Sequence, residues 1–222
     1  MKIALLGYGK MGQRIDALAT EMGHEIVLKS TKENPTENCD LSLADVAIDF
    51  STPDSAFNNI SHAIKSGIPV ISGTTAWLHN IEKIHQLCKK ENGTFLYASN
   101  FSLGMNIFFE LNKKLSQLMK GRKYTTSIHE IHHKEKLDSP SGTAITLENE
   151  MRNILEEKTE ITADRIDGVA GTHIIKYSSG TDEIEIKHTA KNRDGFAIGA
   201  ILAAEWIINK KGVFTLKDML NI

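Results

Sequence analysis

Met1-Lys2-Ile3-Ala4-Leu5-Leu6-Gly7-Tyr8-Gly9-Lys10-Met11-Gly12 opens the chain and decides its fold. Residues 2–6 read as an apolar strand, and from residue 10 to 22 Met11, Ile15, Leu18 and Met22 recur at helical spacing. Residues 25–29 return to strand character, which makes one βαβ unit. Between its first strand and its helix stands the glycine pattern of a dinucleotide site. Gly7 permits the tight turn, Gly9 lets a pyrophosphate approach the backbone, and Gly12 lets helix and sheet pack closely. The helix N-terminus, with Lys10 and Met11 in its first turn, meets phosphate charge with free N–H groups.

Working outward, residues 46–50, 70–72 and 94–98 read as short strands, with helices expected over 53–65 and 78–90 and a polar turn over 34–40. Strands alternating with helices imply a mostly parallel, doubly wound sheet. Beyond residue 100 the rhythm changes: helices are expected over 105–119 and 143–155, and strands over 124–132, 173–178 and 183–189. A last helix over 196–209 carries a broad apolar face and closes back on the first domain. The reading is α/β, a Rossmann-type doubly wound sheet with a second α+β domain. The first domain spans 1–102 and is completed by 194–222; the second spans 103–193.

At the carboxyl edge of a parallel sheet fall Asp49-Phe50-Ser51-Thr52-Pro53 and Gly73-Thr74-Thr75. Phe50, Ser51, Gly73 and Thr75 are candidate cofactor contacts there, although Ser51 or Thr52 could instead cap the helix after Pro53. Ser99, Asn100 and Phe101, at the end of the fifth strand, join the cofactor candidates, and the Asn100-Phe101-Ser102 stretch reads as a hinge. At the end of the second strand, where an NAD-selective site carries an acid, the chain has Lys29-Ser30-Thr31-Lys32. Lys29 or Lys32 can compensate a 2′-phosphate and Ser30 or Thr31 can donate to it. NADPH is therefore the expected cofactor, with NADH the alternative.

The chemistry is expected in Glu130-Ile131-His132-His133-Lys134-Glu135-Lys136-Leu137-Asp138-Ser139-Pro140-Ser141-Gly142-Thr143-Ala144. On one strand His132 and His133 point to opposite sides, so both can serve one site only if the chain turns there. Ser141-Gly142-Thr143 opens the next helix, and its N–H groups together with Lys136 can hold a carboxylate. A histidine can supply a proton near neutral pH. His129, His132 and His133 match no zinc spacing, and Lys136 would repel a cation, so no metal is expected.

The totals agree: 222 residues, 41% hydrophobic and 24% charged, with a formal charge of -2. Scattered charge of both signs leaves no footprint for nucleic acid. No secretory signal or membrane span is read, and a soluble cytoplasmic protein is expected. Cys39 and Cys88 read as free thiols.

Over nearly its whole length the chain resembles the dihydrodipicolinate reductase family. The resemblance rests on the N-terminal glycine motif, Asp49-Phe50-Ser51, Gly73-Thr74-Thr75, Ala98-Ser99-Asn100-Phe101-Ser102 and the run from Glu130 to Ala144. It continues through Gly168 to His173, then His188-Thr189-Ala190 and Arg193. It implies NAD(P)H-dependent reduction of dihydrodipicolinate, formed from 4-hydroxy-tetrahydrodipicolinate, to tetrahydrodipicolinate in lysine and diaminopimelate biosynthesis. It also implies that His132 donates the proton, that Lys136 is its essential partner, and that His133, Lys136, Gly142 and Thr143 hold the carboxylates of a small cyclic dicarboxylate. The second domain would then bind substrate and assemble a homotetramer through its sheet. The chain departs from the commonest bacterial form in having little between its second and third strands, and Ala76 where many members have glycine. Another Rossmann-type reductase and a non-catalytic redox sensor are the rival readings; the His132, Lys136 and Ser141-Gly142-Thr143 constellation favours the reductase.

Overall fold

The structure is a computed structural model describing residues 1–222. Along the chain come β1 (Lys2–Leu6), α1 (Lys10–Glu21), β2 (Glu25–Ser30), β3 (Val46–Asp49), α2 (Pro53–Lys65), β4 (Val70–Ser72), α3 (Ile81–Lys90) and β5 (Thr94–Tyr97). Next are α4 (Leu103–Met119), β6 (Thr125–His132), α5 (Gly142–Leu155), β7 (Glu160–Arg165), β8 (Gly171–Ser178) and β9 (Glu183–Ala190). The chain ends with α6 (Asp194–Ile207), β10 (Gly212–Thr215) and α7 (Leu216–Leu220). It divides into two compact units, Met1–Leu103 with Asp194–Ile222, and Gly104–Arg193.

In the first unit six strands run in the order β10-β5-β4-β3-β1-β2, every neighbouring pair parallel. Alternation along β1 explains its continuous apolar run. Ile3 and Leu5 pack with Ile15 of α1 and Ala200 and Ile201 of α6, whereas Ala4 and Leu6 pack with Ala56 and Ile60 of α2 and Ile84 of α3. Both faces are covered, so neither register can be polar. α6 begins two residues before the expected 196 and carries Ala197, Gly199, Ala200, Ala203 and Ala204, all buried. Such small side chains let the helix lie close: a Cβ on Gly199 would stand 1.8 Å from the Phe101 carbonyl oxygen.

Two boundaries matter for the site. β3 stops at Asp49, leaving Phe50 in the loop rather than the strand expected over 46–50. The helix expected over 78–90 is a 3-10 turn, Leu78–Asn80, followed by α3. β7, β10 and α7 add three short elements to those expected from the sequence.

The second unit is a mixed sheet, β7-β6-β8-β9, in which β6 and β7 are parallel and the other pairs antiparallel. Ile128, Ile175 and Tyr177 on one face meet Met105 and Phe108 of α4 and Leu147 and Met151 of α5. The alternate positions, such as Glu160, Thr162, Asp164, Glu183, Glu185 and Lys187, are polar and exposed. The apolar residues of these strands are therefore largely spent on the covered face. Cys39 and Cys88 are free and buried. No helix is long and apolar enough to cross a membrane.

Candidate functional site

Gly9 is the N-cap of α1 and offers no side-chain cap, so the first N–H groups of a twelve-residue helix face outward. A Cβ on Gly9 would meet nothing within 4 Å, whereas one on Gly7, at φ +100°, would stand 2.4 Å from the Phe50 carbonyl oxygen. One on Gly12 would stand 2.3 Å from the Gly7 oxygen. Gly7 and Gly12 thus satisfy packing, and Gly9 keeps a cradle open. That is the arrangement a pyrophosphate requires.

Two cavities flank the cradle. One of about 300 Å³ brings Gly9, Lys10 and Met11 to Phe50, Ser51, Gly73 and Thr75. The other, about 470 Å³, is lined by Gly7 and Gly9, by Ser30, Thr31 and Lys32, and by Glu33 and Glu37. Lys29 does not line it: its Nζ lies 2.6 Å from Asp16 Oδ2 and 3.3 Å from the Tyr8 hydroxyl. Ser30 is buried, accepting from the Gly7 N–H at 3.2 Å and the Thr36 hydroxyl at 2.9 Å. The strand end carries no acid, but Glu33 and Glu37 bring carboxylates to the same cavity. Phe101 is buried in the core and meets Phe50 with ring centroids 5.7 Å apart, so its side chain supports the site from behind. Asn100 accepts the Ser102 N–H through Oδ1 at 2.8 Å, and Ser99 is exposed.

Asp49 is not among the site residues expected from the sequence. It is fully buried and takes four donors: Ser51 Oγ at 2.6 Å, Ser72 Oγ and Thr74 Oγ1 each at 2.7 Å, and Asn59 Nδ2 at 3.2 Å. Burial raises its carboxyl above the ordinary range, against the pull of those donors. Asp49 ties the ends of β3 and β4 together and orients Ser51, whose N–H donates to Thr74 Oγ1 at 2.8 Å. Thr52, not Ser51, caps α2, in a reciprocal arrangement with Ser55.

In the second unit β6 ends at His132 and the chain turns, the Lys136 N–H donating to the His133 carbonyl at 3.2 Å. His132 is buried; His133 reaches Glu135 through Nδ1 at 2.9 Å. Lys136 Nζ donates to both oxygens of Asp138, at 2.7 and 3.0 Å. This hydrogen bond foremost, with a smaller contribution from the Gly142 N–H, holds the Asp138 carboxyl below the usual range. Lys136 therefore already holds a carboxylate, one belonging to the chain, a few residues before the start of α5. Ser141 caps α5, its Oγ accepting the Ala144 N–H at 3.2 Å, and a Cβ on Gly142 would meet nothing within 4 Å.

Sheet register then adds residues that local sequence could not supply. Glu130 stands opposite His173 on β8, His173 opposite His188 on β9, and His132 opposite Arg165 on β7. Glu130 is fully buried; its Oε1 accepts the Ser141 N–H at 2.9 Å and Arg165 Nη2 at 3.1 Å. Its Oε2 lies 3.2 Å from His132 Nδ1 and 3.7 Å from His173 Nε2. Burial pushes the Glu130 carboxyl up, but Ser141, Arg165 and His132 together bring it below its ordinary value. Burial lowers His132, opposed by Glu130 and reinforced by Lys136, Arg165 and His133. Burial and then His132 lower His173 to about 4. Ligand-type atoms of Glu130, His132 and His173 lie within 4.8 Å of one another, but the Arg165 guanidinium on Glu130 repels a divalent cation there.

A parallel sheet with an open glycine cradle and a separate unit carrying buried acid–base residues define a dinucleotide-dependent oxidoreductase of two units. Residues 1–101 match the family model "Dihydrodipicolinate reductase, N-terminus" and residues 104–220 match "Dihydrodipicolinate reductase, C-terminus". The chain is 50% identical to the 4-hydroxy-tetrahydrodipicolinate reductase of Christiangramia forsetii, over 100% of this chain and 98% of that one. It is 36% identical to the enzyme of that name from Thermosipho africanus, with the same coverage. A solved structure, dipicolinate-bound dihydrodipicolinate reductase from Paenisporosarcina sp. TG-14, shares the fold with a TM-score of 0.77 at 20% identity, covering 97% of each chain. The chain belongs to the dihydrodipicolinate reductase family and is an NAD(P)H-dependent oxidoreductase.

Proposed function

We propose that this cytoplasmic enzyme reduces dihydrodipicolinate, formed by loss of water from 4-hydroxy-tetrahydrodipicolinate, to tetrahydrodipicolinate in lysine and diaminopimelate biosynthesis. The observation that carries the substrate reading is Lys136 Nζ held on the Asp138 carboxylate in the turn that leads into the open α5 N-terminus, with buried His132 at the end of the preceding strand. A substrate carboxylate takes over those donors, with Ser141, Gly142, Thr143 and His133 completing its cradle. Bound NAD(P)H supplies the hydride. With Nδ1 turned to Glu130, Nε2 is the His132 nitrogen from which a proton leaves, and a dicarboxylate arriving nearby favours the protonated ring that burial disfavours.

Gly7, Gly9, Lys10, Met11 and Gly12 form the pyrophosphate end of the cofactor site. Phe50, Ser51, Gly73 and Thr75 form the nicotinamide end, supported by Ser99, Asn100 and Phe101. Lys32, Thr31 and Ser30 line the cavity expected to take the 2′-phosphate, which favours NADPH, with NADH as the alternative. The family resemblance also implies a homotetramer joined through the second sheet. The exposed face of that sheet is mostly polar, with half-buried Ile131 and Ile174 among its charged and hydroxyl residues, so such an interface would be mixed rather than a bare apolar surface.

Cofactor oxidation only while dihydrodipicolinate is being generated supports this reading; cofactor binding without turnover supports a sensor. His132→Gln is expected to bind cofactor normally and to lose roughly 10- to 10,000-fold in kcat, the range of general acid transfer. Unchanged kcat where chemistry limits turnover removes His132 from the reaction. Light scattering at assay concentration decides the mass of the assembly.

A further inference from the structure

The proton donor and the carboxylate cradle lie on different elements, β6 and α5, yet one side chain touches both. Glu130 is fully buried; its Oε1 is hydrogen-bonded, and its Oε2 has no hydrogen-bond donor and lies at ion-pair distance from His132. Oε1 fixes the entry to α5 through the Ser141 N–H at 2.9 Å, and Arg165 from β7 closes on the same oxygen at 3.1 Å. Oε2 faces His132 Nδ1 at 3.2 Å. Arg165 is itself anchored, Nη2 to the Asp138 carbonyl at 2.6 Å and Nη1 to the Asp164 carbonyl at 2.8 Å. We propose that Glu130 is the positioning residue of the reaction. It sets a carboxylate against the Nδ1 side of the His132 ring, leaving Nε2 for proton transfer, supplies the negative charge that lets that ring be protonated, and holds the start of α5 at a set distance from it.

The charge part of this role follows from what surrounds His132. Arg165 on β7, His173 on β8 with His188 beyond it on β9, and His133 and Lys136 in the turn bring only cationic or titratable nitrogen toward it; Asp138 is taken up by Lys136. Glu130 is the carboxylate in contact with the ring. An opposite charge at that range favours the protonated form by about 1–3 pH units, so its removal should leave a histidine that is neutral when the reaction needs an acid. Ser141 and Arg165 keep Glu130 ionised in spite of burial, which fits it for that task.

The inference rests on His132 being the acid, and the test separates the two claims. Glu130→Gln keeps the side-chain shape and an oxygen for the Ser141 N–H but removes the charge. The alkaline limb of its kcat/KM profile is expected to move at least about one pH unit lower, so that the loss is about tenfold at about pH 8, above the wild-type midpoint, and shrinks toward none as the pH falls below the midpoint of the variant. The His132 ring-proton NMR titration, read without substrate, should move by the same amount. Glu130→Gln with Arg165→Gln removes the cation otherwise left unpaired and guards against misfolding; it is expected to lower the His132 midpoint as well. An unmoved midpoint and limb in a folded variant, with His132→Gln still inactive, overturns the role of Glu130 and leaves the acid standing. Full activity in His132→Gln sinks the acid, and this inference with it.

Discussion

Lys29 and Lys32 bracket one strand end, but only Lys32 lines the cavity beside the glycine cradle. Lys29 is held by Asp16 and lies over the Tyr8 ring at 4.8 Å from its centroid. Lys32→Ala is therefore expected to lower kcat/KM for NADPH by about tenfold, a charge-assisted contact to phosphate being worth about 1.5–3 kcal/mol before solvent screening. It should leave NADH nearly untouched, and Lys29→Ala should discriminate less. Equal losses with both cofactors in Lys32→Ala would remove Lys32 from the phosphate site, and the comparison is best run as a salt series because the side chain is exposed. Glu33 and Glu37 face the same cavity and oppose a phosphate, which limits how large the preference can be. At this scale a sequence names the residue types available near a strand end. Which lysine an aspartate on the preceding helix has already claimed is decided by packing.

At the scale of elements, α6 shows why a helix can be apolar almost all round. It lies against α1 and the sheet, and Gly199 removes the side chain that would collide with the backbone at Phe101. Because the obstacle is backbone rather than a movable side-chain tip, Gly199→Ala is expected to destabilise the first unit by about 3 kcal/mol, the upper range for overpacking a core. Urea unfolding would show it as a lower midpoint at unchanged slope. Gly142→Ala is the control: its Cβ meets nothing within 4 Å and should change stability by less than about 1 kcal/mol. If Gly199→Ala unfolds at the wild-type midpoint, close approach is not what the small residues of α6 provide. Ala76 illustrates the reverse case, a non-glycine at φ 63° where a glycine would be unstrained.

Over the whole molecule, buried histidine makes stability depend on pH. His173 is lowered to about 4 by burial first and His132 second, so the folded chain leaves it neutral while an unfolded chain protonates it near 6.5. Stability from this group is intact above about pH 6.5, falls as pH drops toward 4, and then levels, a loss on the order of 3 kcal/mol at 1.36 kcal/mol per unit. Urea midpoints at pH 7 and 4.5 should differ less in His173→Gln than in wild type; an equal difference would mean that other groups carry the acid sensitivity. The sequence alone determined the β1-α1-β2 opening, the doubly wound sheet and the contiguous run from His132 to Thr143. These are legible because helix and strand periods, glycine in tight turns and a helix start are local signals carried by neighbouring residues. Tertiary structure decided β10, four residues that start at a glycine and pair with β5, and it gave the short alternation of β7 its place beside β6. It also decided the buried partners of the site: Asp49 beneath Ser51 and Thr74, and Glu130 among His132, His173 and Arg165. Those contacts depend on strand order and register, which are set by packing between segments far apart in the chain and leave no mark on any one of them.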